Sequence, residues 1–387
     1  MKIALVMAHG RVHEHVGGAP KVFFDMSNEL STDNTIMSIY SDDSEGSPLY
    51  TVNEGVKLVN LKVDKRKINS TSLKLIRELV RGWNKLPLKK WHYNPITSRQ
   101  QSVIGERLLP YLKSFQPDII VSYGHWDLVS ITDYYRDEVP IISMSHTDTS
   151  REAPFMSSRE VKAMEKAALC QVLLPSYIDA VKKHVSTKLD VVALGNAIPD
   201  FHGDCDSSRK SIIYMARIEK NKQQHKLISC FADIDISVRS EWRIELYGSN
   251  ADPEYRKHLD SLIENRGLSG HVFFHGVTDQ VELKLKQSSI CAFPSAFEGF
   301  PLALSEAMSS GLACMGFSAC SGVNEVLSHK NNGLLANNDT EFTQLLSSLM
   351  EDEKYRCELG KKAYISISSY HCKYIWARWR ELISRYH

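Results

Sequence analysis

Met1-Lys2-Ile3-Ala4-Leu5-Val6-Met7-Ala8-His9 opens the chain, and a polar stretch with glycines at Gly10, Gly17 and Gly18 follows, from His9 to Pro20. Val22, Phe23, Met26 and Leu30 then recur at helical spacing. An apolar run too uniform for a half-exposed strand reads as a buried one. Strand, glycine loop and helix in that order begin a doubly wound α/β domain.

The same grammar continues. Asp118-Ile119-Ile120-Val121-Ser122 reads as a strand ending at Gly124-His125, and Pro140 to Ser145 as another ending at His146. Val172-Leu173-Leu174-Pro175-Ser176 and Val191 to Leu194 predict two more, with helical stretches between, for example Arg159 to Leu169. A polar segment, Asp200 to Lys210, interrupts the pattern, and then it restarts. Ser211 to Met215, Trp242 to Tyr247, His271 to Phe274, Ile290 to Phe293 and Ala313 to Phe317 read as strands, with a helix around His225 to Phe231. A chain of 387 residues suits two domains rather than one core. The expected division is 1–199, 200–369 and a terminal amphipathic helix, 370–387, packing back on the first domain. Two such halves facing a cleft place ligands at the carboxyl ends of both sheets.

Composition narrows the function. The formal net charge is +1, so no global field draws nucleic acid. None of the eight cysteines forms a C-x-x-C pair, and no His or Cys cluster has zinc-ligand spacing. The opening apolar run is too short for a signal peptide, and none approaches the roughly 18 to 20 residues that cross a bilayer. These features predict a cytoplasmic protein. One local exception is the span Lys62 to Lys90, with ten cations against Asp64 and Glu78, and with Trp83 and Trp91 in or beside it. Such a stretch suits an anionic membrane surface, here the inner face of the cell membrane, or serves as a solvated basic face.

The chemistry concentrates from Phe293 to Glu306. A strand runs out at Phe293, and Pro301 fits the first turn of the helix that follows. The amides of Gly299, Phe300 and Leu302 would then face a ligand, since a helix start favours anions and hydroxyl oxygens. Glu298 and Glu306 lie eight apart, so both can face one site and accept paired hydroxyls. The spacing alone is common: a capping carboxylate and a solvated helix residue account for it equally well.

The longer pattern is specific. Phe297-Glu298-Gly299-Phe300-Pro301-Leu302-Ala303-Leu304-Ser305-Glu306-Ala307-Met308 resembles the signature of the family 4 glycosyltransferases, which have the GT-B fold of two Rossmann-like domains. Gly311-Leu312-Ala313, Gly322 to Val326 and Asn332-Gly333-Leu334-Leu335 resemble the family's later motifs, with Ala313 where proline is usual. The resemblance implies a retaining transferase that uses a nucleotide diphosphate-sugar, most simply a UDP-sugar, needs no metal or cofactor, and acts on a glycan, lipid-linked glycan or protein acceptor in cell-surface glycan synthesis. It assigns Arg217 and Lys222 to the leaving diphosphate. Two cations there stabilise the charge that develops as the glycosidic bond breaks. Glu306 goes to the ribose, and Glu298 with Gly299, Phe300, Pro301 and Leu302 to the donor sugar. Gly248, Gly276 and Val277 resemble strand-end positions near the nucleotide. Gly17 and Gly18 match a glycine loop that approaches phosphate, and His146 matches a position facing the reacting sugar. Asn196 stands where the family has a Pro-Asn-Gly run, in a different setting. Asp204-Cys205-Asp206 and Asp233-Ile234-Asp235 read as chance triplets. Two rivals remain: an epimerase or hydrolase on the same fold, and a non-catalytic partner subunit.

Overall fold

The computed structural model describes residues 1–10, 12–13, 17–83, 92–203, 206 and 208–386. Lys85, Lys89, Lys90 and Trp91 of the basic span and Asp204 and Cys205 lie outside these, as do the side chains of Arg66 and Trp83. The chain divides into two compact units, one of Met1–Gly195 with Trp376–His387, the other Asn196–Ile375.

In the first unit, β1 (Lys2–Met7), β2 (Thr35–Tyr40), β3 (Lys57–Asn60), β4 (Ile119–Ser122), β5 (Ile141–Met144), β6 (Leu169–Val172) and β7 (Val191–Ala193) form one parallel sheet in the order β3-β2-β1-β4-β5-β6-β7. Ile3, Ala4, Leu5 and Val6 of β1 are fully buried, as a central strand covered on both faces requires. β6 lies earlier than the apolar run 172–176 predicts, and the helix before it is Ser158–Met164 rather than 159–169. Leu173 and Leu174 remain buried after the strand ends. Burial therefore outruns hydrogen-bond pairing there, and the next helix begins at Ser176, after Pro175. The last residues pack on this unit: Trp376, Trp379, Leu382 and Ile383 are buried, and Arg380 reaches Glu29 at 2.7 Å and Asp33 at 3.3 Å.

In the second unit, β8 (Ser211–Met215), β9 (Arg243–Tyr247), β10 (Val272–Gly276), β11 (Ile290–Phe293), β12 (Ala313–Phe317) and β13 (Leu334–Ala336) form a parallel sheet in the order β10-β9-β8-β11-β12-β13. The order reverses between β8 and β11. That switch point opens a crevice at the strands' carboxyl ends.

Candidate active site

The loops leaving β8 and β11 meet at this switch point. Lys222 closes a short 3-10 turn after β8, and its Nζ lies 2.7 Å from Glu298 Oε1. Both side chains are mostly buried. Ser295 Oγ donates to the same Glu298 oxygen at 2.6 Å. Tyr214, the fourth residue of β8, lies 2.7 Å from Ser295 Oγ and donates to the Lys222 carbonyl at 3.0 Å. A serine hydroxyl has one proton, and here it goes to Glu298. Ser295 and Lys222 thus both donate to one Glu298 oxygen, while the single Tyr214 proton is shared between the Lys222 carbonyl and Ser295 Oγ. Burial first, and then the Glu298 charge, push the Tyr214 phenol well above its ordinary range, so it stays a neutral donor.

Backbone contacts hold Glu298 in place. Its amide donates to Ser321 O at 3.0 Å, and Ala296 N donates to Asn221 O at 3.0 Å, tying the β11 loop to its neighbours on either side. Gly322, at φ 82°, approaches so closely that an added Cβ would lie 2.8 Å from Glu298 O.

The helix after Glu298 is Leu302–Ser309, and Pro301 sits at its N-cap rather than inside its first turn. The Leu302 amide is spent on Phe300 O at 2.9 Å, and Pro301 has no N–H, so the expected row of amides is shorter than the sequence suggests. Glu306 lies in the second turn and is 8% exposed, which removes the reading of a solvated helix residue. Arg217 differs from Lys222 in setting: it is exposed on the loop and pairs with Glu219 at 3.0 Å.

Gly248 follows β9 at φ 146°, and a Cβ there would fall 2.0 Å from Ala216 O. Only glycine lets β9 close against the loop that carries Arg217. Its amide donates to Gly276 O at 2.7 Å, so the two strand-end glycines lie side by side, with Val277 exposed beyond them. Asp233 pairs with Arg266 at 3.1 Å, and Asp235 caps the helix Ile236–Arg239. Both thus have structural partners.

In the first unit, Gly17 is the extended N-cap of the helix Gly18–Leu30. Ala19 and Pro20, the residues after the glycine pair, line a cavity of about 340 Å³ with His146. The His146 ring stacks on Tyr123 at 4.9 Å, and both ring nitrogens are buried without a partner among the described residues. Burial lowers its pKa to about 4, so it is neutral near pH 7. Two further groups of this cavity carry no signal in the sequence. Asp127 accepts from the Ala8 and His9 amides at 2.8 and 3.1 Å, yet burial raises it to about 7. His9 is lowered to about 3, by burial and then by the Lys65 charge, whose Nζ donates to His9 O at 3.0 Å. Tyr214 and Ser295 are equally silent; only a polar tip within an apolar strand marks the tyrosine.

Residues 201–366 match the family described as glycosyl transferases group 1. The matched stretch falls within the second unit. Over nearly its whole length the chain is similar to the amylovoran biosynthesis glycosyltransferase of Erwinia amylovora, 20% identical over 95% of this chain and 96% of that protein. It is 29% identical to the N-acetyl-alpha-D-glucosaminyl L-malate synthase of Bacillus anthracis over 41% of each. The chain spans 21%, 40% and 41% of the first three curated relatives it matches. Among solved structures it resembles the sucrose-phosphate synthase of Thermosynechococcus elongatus, with a TM-score of 0.78, 16% identity and 99% and 98% of the two chains covered. It also resembles the Anabaena protein HepE, solved with UDP and glucose, with a TM-score of 0.70 and 16% identity over all of both chains. The fold is thus GT-B, two parallel-sheet α/β domains.

Proposed function

We propose that the chain is a retaining glycosyltransferase that moves a sugar from a UDP-sugar to an acceptor hydroxyl in the synthesis of a polysaccharide, lipopolysaccharide or other glycoconjugate. The Lys222–Glu298 ion pair carries this reading. It sets a mostly buried cation beside a mostly buried acceptor at the switch point of a sheet whose sequence matches the group 1 family. As the bond from the anomeric carbon to the diphosphate breaks, charge gathers on the leaving oxygens. Lys222 and Arg217 stabilise it without a metal. Glu306 holds the ribose hydroxyls. Glu298 and the segment Gly299, Phe300, Pro301 and Leu302 hold the donor sugar. Gly248, Gly276 and Val277 border the nucleobase, and from the first unit Gly17, Gly18 and a neutral His146 contribute to phosphate and sugar. UDP is the nucleotide bound by the structurally similar Anabaena protein, which supports the uridine choice.

The acceptor reading extends to a membrane. No described helix is long and apolar enough to cross one. The helix Thr71–Trp83 instead exposes Leu75, Ile76 and Leu79, which fall within about 100° of one another at helical spacing, with Lys74, Arg77 and Arg81 outside that arc. This is the pattern of a helix lying in an anionic interface, and we assign it to peripheral docking on the cytoplasmic side.

Turnover of nucleotide sugars by Lys222→Ala and Glu306→Ala tests the central claim. Both variants should fold and lose most transfer, and near-normal activity in both defeats the assignment. Product analysis separates the rivals, because an epimerase or hydrolase turns over without an acceptor and a partner subunit does not turn over at all.

A further inference from the structure

The first unit holds a second cavity, of about 310 Å³, beside the one that contains His146; the two share His125, Trp126, Glu152 and Met156. Its walls are unusually aromatic for a surface. Tyr93, Trp126 and Phe155 line it and are 43%, 43% and 66% exposed. Large rings left open to water in one concavity mark a binding site more often than a stray surface residue.

The floor supplies a directed donor. Gln101, on the helix Pro95–Phe115, is 2% exposed. Its Oε1 accepts from Arg159 Nη1 at 3.2 Å. Arginine only donates, so this contact fixes which end of the amide is oxygen. Its Nε2 is then a buried donor with no partner among the described residues, a costly state that an acceptor on a ligand would relieve. Acceptors for ligand hydroxyls stand nearby. His125 lies 4.0 Å from Glu152 and 3.7 Å from Glu160, and Glu160 spends its other oxygen on the Ser157 amide.

Charge selects the ligand class. Arg151 and Arg159 in the lining are matched by Glu152 and Glu160, and Arg159 is itself held by Asp133 at 2.5 Å. An anion gains nothing here. A neutral ring with an apolar face and several hydroxyls suits the aromatic walls, the amide donor and the carboxylates. We propose that this cavity is a glycan subsite of the first unit, where an uncharged sugar ring stacks on the aromatic wall and accepts a hydrogen bond from Gln101. Because the cavity shares four lining residues with the one holding His146, a glycan seated here is placed to extend its next unit toward that histidine. The ligand's role as acceptor rests on the proposed transfer reaction; the site itself does not.

Saturation-transfer NMR on the full chain tests this, with UDP present and methyl α-glucoside, methyl α-galactoside and methyl N-acetylglucosaminide as probes. At least one probe should receive saturation on its ring protons. Phe155→Ala, a change at an exposed residue, should reduce that signal about fivefold or more, and so should Gln101→Leu where it folds. The UDP-induced thermal shift should stay the same in both. No transfer to any probe, or an undiminished signal in either folded variant, overturns the subsite. Failure of UDP to bind the wild-type chain would instead remove the donor assignment and leave the glycan result standing.

Discussion

Lys222 is neutralised by Glu298 before any nucleotide arrives, and this has a measurable consequence. At 2.7 Å and an effective dielectric near 20, the gross attraction of the pair is on the order of 6 kcal/mol. Desolvation of both ions cancels most of it. The net contribution is on the order of 1 to 3 kcal/mol, the worth of a charge-assisted hydrogen bond. A diphosphate must compete with the carboxylate for the same ammonium. Lys222→Ala removes the cation and should weaken UDP binding roughly 10- to 100-fold, since each 1.4 kcal/mol is about tenfold. Glu298→Gln has the opposite sign. It keeps the shape and the acceptor for Ser295 but drops the competing charge, so UDP should bind about three- to tenfold more tightly while sugar transfer falls. Isothermal titration with UDP at fixed ionic strength reads both. Weaker UDP binding in Glu298→Gln, or unchanged binding in Lys222→Ala, would show that the pair is a structural clamp away from the nucleotide.

Further expectations follow from individual contacts. Gly248→Ala should destabilise the chain by about 2 to 4 kcal/mol in denaturant unfolding, because its Cβ cannot coexist with the Ala216 carbonyl at 2.0 Å; a loss under about 1 kcal/mol refutes the close-approach argument. Chelation with EDTA should leave transfer unchanged if Lys222 and Arg217 carry the leaving-group charge, and abolition restored by magnesium would place a metal there instead. Vesicles rich in anionic lipid should co-sediment the chain, and Leu75→Asp with Leu79→Asp should release it; binding indifferent to anionic lipid content rejects the docking helix. His146 has a folded pKa of about 4 against an ordinary 6.5. The unfolded chain therefore binds more protons between those values, and stability present above pH 6.5 drains away as pH falls toward 4. His9 adds to that slope, while Asp127, raised to about 7, opposes it, so the isolating comparison is His146→Phe, whose stability should fall less steeply in acid.

The two central sheets are legible because their middle strands are continuous apolar runs. The edge strands β7 and β10 are read as well, but β3 and β13 are not, and neither is the inner strand β2. β3 is Lys57-Leu58-Val59-Asn60, with two apolar residues in four, and β13 is three residues inside a segment whose Asn332-Gly333 reads as a turn. An edge strand pairs on one side only, so its pattern can be this short and weak. In the site, the signature segment and the basic loop can each be read where they stand. Their contact cannot, because Lys222 and Glu298 are 76 residues apart and only the reversal of strand order between β8 and β11 brings them together. Asp127 and Gln101 are further from reach still. Their environments arise from packing, and neither has a neighbour in sequence that announces it.

That contact also separates two residues that the sequence presents as equals. Arg217 and Lys222 lie on one loop and match one motif, so both read as cations for the diphosphate. Arg217 is exposed and its partner Glu219 is a neighbour in sequence, a pair that salt and motion readily loosen. Lys222 is held in a mostly buried chain that runs through Glu298 and Ser295 to Tyr214. A ligand that draws Lys222 away leaves Glu298 with one donor fewer and an open acceptor position. A sugar hydroxyl placed beside the diphosphate can fill it. On the proposed donor site, diphosphate and sugar would bind with positive coupling through one oxygen, and UDP-sugar should gain more from Glu298 than UDP does.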